Sequence, residues 1–218
     1  MAEKDEGLTR AIPEAPFQVV AIAASAGGLK ALSRVLSGLP EDFPVPIVVV
    51  QHLDPRHRSL MDEILDKRTP LHVKQAEAGD HPEGGTVYIA PPNHHLLVDG
   101  DSSLLLTQTE LVHFVRPSAD LLFESVAGTY KERCIAVVLT GSGKDAGMGV
   151  EAVKKVGGTV IAQNEETADF FGMPGTAIET GCVDFVLGLD EIAPALITLV
   201  VQEDQTDSEA SNSDSSAD

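Results

Sequence analysis

Three polar residues of the types used in nucleophilic catalysis each follow a long apolar run of the sequence. Ser25 and His52 come directly after such runs, and Asp145 follows one across a short glycine-rich loop. In acyl-transfer triads an imidazole takes the proton of a hydroxyl nucleophile, and a carboxylate holds the imidazole in the correct tautomer. Since the carboxyl ends of parallel strands share one edge of a sheet, the spacing predicts a Ser–His–Asp triad there.

Small residues surround the candidate nucleophile, Ser25. Ala26, Gly27 and Gly28 follow it, which lets the backbone turn sharply and lets a substrate carbonyl approach closely. A helix that begins at Gly27–Gly28 points free N–H groups at the site, where they suit a developing oxyanion. The loop Gly141–Gly143 offers a second donor, so an oxyanion hole is expected between the two segments.

Each of these residues also has an ordinary structural explanation. Ser25 could cap a helix or belong to a phosphate-binding turn, and Asp145 could cap a helix over residues 146–156. His52 could be structural, with His57 as a competitor five residues further on. The glycine pattern of a hydrolase nucleophile elbow is absent, because Ala23 replaces its first glycine.

No metal and no cofactor is predicted. His94 and His95 are adjacent, so on an extended chain their side chains point to opposite faces, and neither His113 nor a carboxylate completes a zinc-binding spacing. The dinucleotide fingerprint G-x-G-x-x-G is absent as well.

The elements that must position these residues alternate between apolar runs and segments of helical periodicity. This pattern predicts an α/β fold, a doubly wound, mostly parallel sheet with helices on both faces, and a short antiparallel hairpin insertion or edge at residues 86–106. The predicted strands cover residues 19–24, 46–51, 86–90, 96–106, 134–140, 159–162 and 183–187, and the predicted helices cover 29–39, 59–67, 118–130, 146–156, 190–201 and a segment from Pro174.

Composition restricts the organisation and the partners. Residues 16–201 form one predicted domain, and the polar segments 1–15 and 202–218 are expected to be disordered. The net charge of −19, from 34 acidic and 15 basic residues, argues against nucleic-acid binding. No apolar run is long enough to span a bilayer and no secretory signal precedes the first strand, so a cytoplasmic location without membrane insertion is predicted.

The segments around the three candidate residues resemble the catalytic domain of the chemotaxis protein-glutamate methylesterase (CheB) family. The resemblance spans about residues 18–200 in colinear order and rests on VAIAASAGG from Val20, VQHLDP from Val50, VYIAPPNHHL from Val87, RPSADLLFESVA from Arg116, LTGSGKDAG from Leu139, IAQNEET from Ile161 and FGMP from Phe171.

This resemblance implies a serine hydrolase that removes methyl groups from glutamate γ-methyl esters of chemoreceptors and that can also deamidate glutamines. It implies the triad Ser25, His52 and Asp145, and an oxyanion hole made by the backbone N–H groups of Ala26 and Ser142. It further implies a methylated chemoreceptor or related signalling protein as substrate. The family's N-terminal receiver domain is expected to be absent, so a separate response regulator or methyltransferase is a candidate partner.

The chain departs from the family pattern near the substrate. Ser142 stands where the family commonly has Met, and the segment after Met173 lacks the basic residue often found there. Met173 is therefore a guessed substrate contact, and Arg56, Arg58 and Arg116 are expected to steer acidic receptor helices towards an acidic domain. A catalytically weak or inactive scaffold module of a signalling array is the alternative function.

Overall fold

The computed structural model describes residues 17–52 and 59–200 of the 218-residue chain. Within these ranges the chain forms nine strands and six α-helices. The strands are β1 Val19–Ala24, β2 Ile47–Gln51, β3 His72–Gln75, β4 Thr86–Ile89, β5 His95–Val98, β6 Leu104–Thr107, β7 Cys134–Val138, β8 Thr159–Gln163 and β9 Phe185–Leu187; the helices are α1 Gly28–Leu36, α2 Met61–Asp66, α3 Ala119–Tyr130, α4 Gly147–Lys155, α5 Gly172–Glu179 and α6 Leu189–Val200.

Seven of the strands form one parallel sheet in the order β3-β4-β2-β1-β7-β8-β9. β1 pairs with β2 on one side, with Ala24 opposite Gln51, and with β7 on the other side, with Ala23 opposite Val138. The strand order reverses at β1, so its carboxyl end is the switch point at which doubly wound folds bind ligands. The predicted fold class is confirmed.

The central strands are apolar on both faces because helices cover both. On one face Val19, Ala21 and Ala23 pack in a buried cluster with residues of α3, α4 and α5 and of the β5–β6 hairpin. On the other face Val20 and Ile22 pack with residues of α1, α2 and α6. A strand buried on both sides reads as an unbroken apolar run rather than as an alternating pattern, which explains why β1, β2 and β7 were evident from the sequence.

One part of the predicted hairpin region is wrong. Residues 95–107 do form a separate antiparallel pair, β5–β6, but β4 at Thr86–Ile89 belongs to the parallel sheet, between β2 and β3. β3 was not predicted: its four residues carry His72 and Lys74, and only Val73 is buried. Two short strands thus extend the sheet beyond β2.

None of the helices in residues 17–52 and 59–200 is long and apolar enough to cross a membrane. The predicted disordered segments 1–15 and 202–218 lie entirely outside the described residues.

Candidate active site

Ser25 lies at the carboxyl end of β1, between the ends of its two neighbouring strands. Its backbone N–H donates to Thr140 O at 3.0 Å on the β7 side, and its carbonyl accepts from Gly28 N at 2.9 Å at the start of α1. The side chain is half-buried. Within the described residues Ser25 Oγ makes no hydrogen bond, so the hydroxyl is available to a ligand.

His52 lies beside Ser25 because it follows the adjacent strand. Its backbone N–H donates to Ala24 O at 3.0 Å, which continues the parallel ladder between β1 and β2 for one more residue. The ring Nε2 lies 2.8 Å from Asp145 Oδ2, and the His52 side chain is only 10% exposed. With Nε2–H donating to the carboxylate, Nδ1 is the nitrogen left to take a proton.

Four hydrogen bonds hold the Asp145 carboxylate. Oδ2 accepts from His52 Nε2 and from Ala119 N at 2.5 Å. Oδ1 accepts from Ser118 Oγ at 2.9 Å and from Asp120 N at 3.1 Å. Three of these donors belong to the N-terminus of α3, whose free N–H groups and positive dipole end favour a negative charge. The geometry therefore fixes both the position and the ionised state of Asp145.

The pKa of Asp145 follows from this balance. Burial of the carboxyl would raise its pKa, but the hydrogen bond and charge of His52 and the amides of Ala119 and Asp120 outweigh burial and lower it. A carboxylate that stays charged beside His52 stabilises the imidazolium that forms when His52 takes a proton.

Two backbone N–H groups belong to the segments on either side of Ser25. The N–H groups of Ala26 and Ser142 donate no hydrogen bond within residues 17–52 and 59–200. Ala26 precedes Gly27, whose φ of 80° starts α1 in the left-handed conformation that glycine adopts without strain. Ser142 is exposed, in the loop that ends at Asp145. Free amides of this kind match the predicted oxyanion hole, which stays a prediction.

Gly141 brings the second of these segments against the nucleophile. A Cβ at Gly141 would lie 2.9 Å from Ser25 Cβ and 2.4 Å from Met173 Sδ. Gly141 N donates to Phe170 O and Gly141 O accepts from Met173 N, both at 2.9 Å. Met173 is completely buried, so the structure places this guessed substrate contact beneath the loop and not on its exposed rim.

Gln51 is a support that the sequence did not reveal. Its Nε2 donates to Ser25 O at 2.7 Å and to His52 O at 3.0 Å, so one side chain ties the two strand ends together. A Cβ at Gly28 would lie 1.9 Å from Gln51 Oε1. This close approach explains why position 28 is a glycine. In the sequence, Gln51 was marked only as a polar residue at the end of an apolar run.

A second unforeseen support, His95, lies behind Asp145. Its Nδ1 accepts from Ser118 N at 3.1 Å, and its Nε2 lies 3.0 Å from Glu110 O. Because one ring nitrogen accepts an N–H and the other faces a carbonyl, the buried imidazole is neutral with its proton on Nε2. His95 thereby orients the residue that donates to Asp145. The adjacent position of His94 and His95 had suggested only a metal site.

The arginines predicted at the rim have different surroundings. Arg116 makes four hydrogen bonds inside the protein, two to Asn93 Oδ1 and one each to the carbonyls of Gln108 and Thr109. This geometry assigns Arg116 to holding its own loop, and a substrate contact stays a prediction. Arg56 and Arg58 lie outside the described residues.

One group of side chains has the spacing of a metal site. Ligand atoms of His113, Asp120 and Asp145 all lie within 4.8 Å of one another. A carboxylate has about four lone-pair positions, and all of those on Asp145 are used by the hydrogen bonds above. Asp145 therefore has no electron pair to offer an ion while it holds His52.

Comparisons with known proteins agree with this geometry. The family model described as CheB methylesterase matches residues 20–196. A relative from Leptospira interrogans is 39% identical over 183 residues, which make up 84% of this chain and 95% of that protein. A relative from Thermotoga maritima, named protein-glutamate methylesterase/protein-glutamine glutaminase, is 41% identical over 88% of this chain, and the match covers 57% of that longer protein.

A solved structure agrees over almost the same region. The crystal structure of the Thermotoga maritima CheB methylesterase catalytic domain matches with a TM-score of 0.81 and 41% sequence identity. The match covers 84% of this chain and 99% of that one. The similarity therefore extends over the sheet, its helices and the strand ends that carry the site.

Proposed function

Because the chain belongs to the CheB methylesterase family, we propose that it is a serine hydrolase that removes methyl groups from glutamate γ-methyl esters of chemoreceptor-like proteins. Ser25 is the proposed nucleophile, His52 the general base and Asp145 the residue that orients His52. The observation that carries the proposal is the His52–Asp145 pair, 2.8 Å apart, at the strand edge that also bears Ser25, whose hydroxyl makes no hydrogen bond among the described residues.

The first half of the reaction forms an acyl-enzyme. Ser25 Oγ attacks the ester carbonyl carbon while Nδ1 of His52 takes the hydroxyl proton. Negative charge collects on the carbonyl oxygen, where the amides of Ala26 and Ser142 stabilise it. The bond between the acyl carbon and the methoxy oxygen then breaks, and His52 gives its proton to that oxygen, so that methanol leaves and the acyl group stays on Ser25.

The second half consumes water. His52 takes a proton from a water molecule whose oxygen attacks the glutamyl–Ser25 ester, and the proton then passes to Ser25 Oγ as that bond breaks. The products are the glutamate carboxylate, one proton and free enzyme. The same steps on a glutamine side chain release ammonia in place of methanol, and protein-glutamine deamidation is therefore a second proposed activity at the same site.

A catalytically silent scaffold is not favoured. The relatives carry the names of hydrolases, and Asp145 is held by three donors from α3 in addition to His52. Burial of an ionised carboxylate is costly, and here the cost is offset only by donors aimed at it. This arrangement supports a working triad.

The decisive measurement is methanol release from a carboxyl-methylated receptor preparation. The wild-type chain is expected to release methanol, and Ser25→Ala is expected to lose this activity while its circular dichroism spectrum stays unchanged. Ser37→Ala, which removes an exposed serine hydroxyl at the end of α1, is the matched control and should retain activity. Methanol release by Ser25→Ala at the wild-type rate would refute the assignment.

Fluorophosphonate labelling separates an unsuitable substrate from an inactive site. This probe reacts with an activated serine and does not depend on the protein substrate. Labelling of the wild type but not of Ser25→Ala, without methanol release, would retain the hydrolase and reject the receptor preparation as its substrate. Absence of labelling in both proteins would refute the hydrolase itself.

The proposed partner is an acidic segment of a methylated chemoreceptor, and the proposed location is the cytoplasm. The chain is itself strongly acidic, so the cationic side chains of Arg56 and Arg58 are proposed to assist the encounter. Association at low salt should then be slower for Arg56→Glu than for wild type. A separate response regulator or methyltransferase remains a proposed partner without a specific contact to support it.

A further inference from the structure

A second buried carboxyl, Asp120, lies directly behind the proposed triad. It is 2% exposed and occupies the first turn of α3, where its own N–H donates to Asp145 Oδ1. Its side chain has no part in the ester chemistry described above. Burying an ionised carboxyl lowers the stability of the fold unless the carboxyl is paired and hydrogen-bonded.

Asp120 Oδ1 connects two segments that carry the site. It accepts from Gly149 N at 2.7 Å, in the first turn of α4. α4 follows directly on the loop that contains Ser142 and Asp145. The contact therefore fixes the helix after that loop to the helix whose N-terminus holds Asp145.

Asp120 Oδ2 is close to a histidine of the loop before α3. It lies 3.1 Å from Nε2 of His113, whose side chain is 45% exposed. Within the described residues Oδ2 has no aligned hydrogen bond. Oδ1 is therefore the oxygen through which Asp120 connects the two helices.

The titratable groups around Asp120 come from several elements. The loop before α3 contributes His113 and the loop before α4 contributes Asp145, which in turn contacts His52, the residue after β2. β5 contributes the neutral His95, which contacts Ser118, and α4 faces Asp120 with a backbone amide. On α3 itself the next acidic residue is the exposed Glu124.

We infer that Asp120 is a positioning residue of the triad: its Oδ1 braces α4 against α3 while its backbone N–H donates to Asp145, so that the loop carrying Ser142 and Asp145 keeps its place. This inference rests on the proposed function of Ser25, His52 and Asp145. It assigns Asp120 no contact with substrate.

The consequence for the reaction follows from the brace. Loss of the bond between Asp120 Oδ1 and Gly149 N should loosen the contact between the start of α4 and the N-terminus of α3 that holds Asp145. Labelling of Ser25 should then be slower at every pH. An amide at position 120 keeps an oxygen in the same place and should largely preserve the brace.

The inference is tested by the rate of fluorophosphonate labelling of Ser25. Asp120→Ala removes the oxygen that accepts from Gly149 and should slow labelling by about tenfold or more, since a misplacement of catalytic groups by about 1 Å costs roughly 10²-fold. Asp120→Asn keeps that oxygen and should restore most of the wild-type rate. Glu124→Ala removes an exposed carboxylate of α3 and should leave the rate unchanged.

The outcomes separate this inference from the proposed function. Failure of the wild type to label would overturn both. Labelling of Asp120→Ala at the wild-type rate would overturn the role of Asp120 alone. A rate in Asp120→Asn as low as that in Asp120→Ala would also overturn it, since the effect would then not depend on the oxygen that accepts from Gly149. An equal loss in Glu124→Ala would do the same, because the effect would then not depend on the position of Asp120.

Discussion

Replacing Gly141 with alanine tests how closely the loop after β7 packs against the nucleophile. The added Cβ would meet Met173 Sδ at 2.4 Å and Ser25 Cβ at 2.9 Å. Non-bonded carbon atoms prefer separations of about 3.5–4.0 Å, so each neighbour must retreat, Sδ by at least about one ångström. Met173 is completely buried, and Ser25 is hydrogen-bonded to Thr140 and Gln51. Moving either residue would therefore disturb packing or break a hydrogen bond.

Two magnitudes follow from these contacts. Overpacking of a buried site costs about 1–3 kcal/mol of folding free energy. A misplacement of catalytic groups by about 1 Å can lower the rate by roughly 10²-fold. We therefore expect Gly141→Ala to lose about 1–3 kcal/mol in urea unfolding and to label with fluorophosphonate roughly a hundredfold more slowly.

Two further variants locate the cause. Gly128→Ala adds a methyl group to α3 at a point where the described residues, apart from its own chain neighbours and the helix backbone, place no atom within 4 Å. It should stabilise the fold by about 0.5–1 kcal/mol without changing labelling. Gly141→Ala combined with Met173→Ala removes the sulfur but not the Ser25 contact. The stability costs of these two substitutions should therefore be less than additive while labelling stays slow. Wild-type labelling by Gly141→Ala, or full recovery in the double variant, would refute the packing described here.

Three other substitutions test the supports of the site. Asp145→Asn should lower labelling by about 10³–10⁴-fold without unfolding the chain, because an amide cannot hold the same His52 tautomer and charge; a loss below about tenfold would contradict the role of Asp145. Gly28→Ala should lower the free energy of unfolding by about 1–3 kcal/mol, since its Cβ would overlap Gln51 Oε1, and Gln51→Ala in the same chain should reduce that loss. Ser118→Ala should cost about 0.5–2 kcal/mol through the lost α3 cap and should also slow labelling; unchanged labelling would show that the bond to Asp145 is dispensable.

The candidate triad could be located from sequence because its members follow strands that are buried on both faces. Such strands appear as unbroken apolar runs, and Ser25 and His52 come directly after two that pair in register. The short strand β3 lacks this signal, since His72 is exposed and Lys74 is half-buried. The placement of β4 was mistaken because its partners, β2 and β3, are set by pairing between distant segments and not by its proximity to the hairpin.

The supports of the triad depend on contacts between segments that are far apart in the chain. His95 and Ser118 are 23 residues apart and Ser118 and Asp145 are 27 apart. In the sequence Ser118 predicts a helix start, which is correct, but nothing in its local pattern shows which carboxylate its hydroxyl meets. Only the packing of α3 and α4 on the same face of the sheet brings these groups together.

Asp145 and Asp120 illustrate how much the surroundings decide. The hydrogen bonds to Asp145 lower its pKa, so the ionised carboxylate stabilises the folded state at any pH above the ordinary pKa of an aspartate. This stabilisation is lost as the pH falls through the lowered pKa. Burial is the main cause that raises the pKa of Asp120 to about 6. The hydrogen bond from the Gly149 amide lowers this pKa, and the negative charge of Asp145 raises it further. Asp120 therefore costs stability as pH rises from about 4 towards 6. Unfolding free energy measured across this range should rise more steeply with pH in Asp120→Asn than in wild type, and parallel curves would contradict the buried charge.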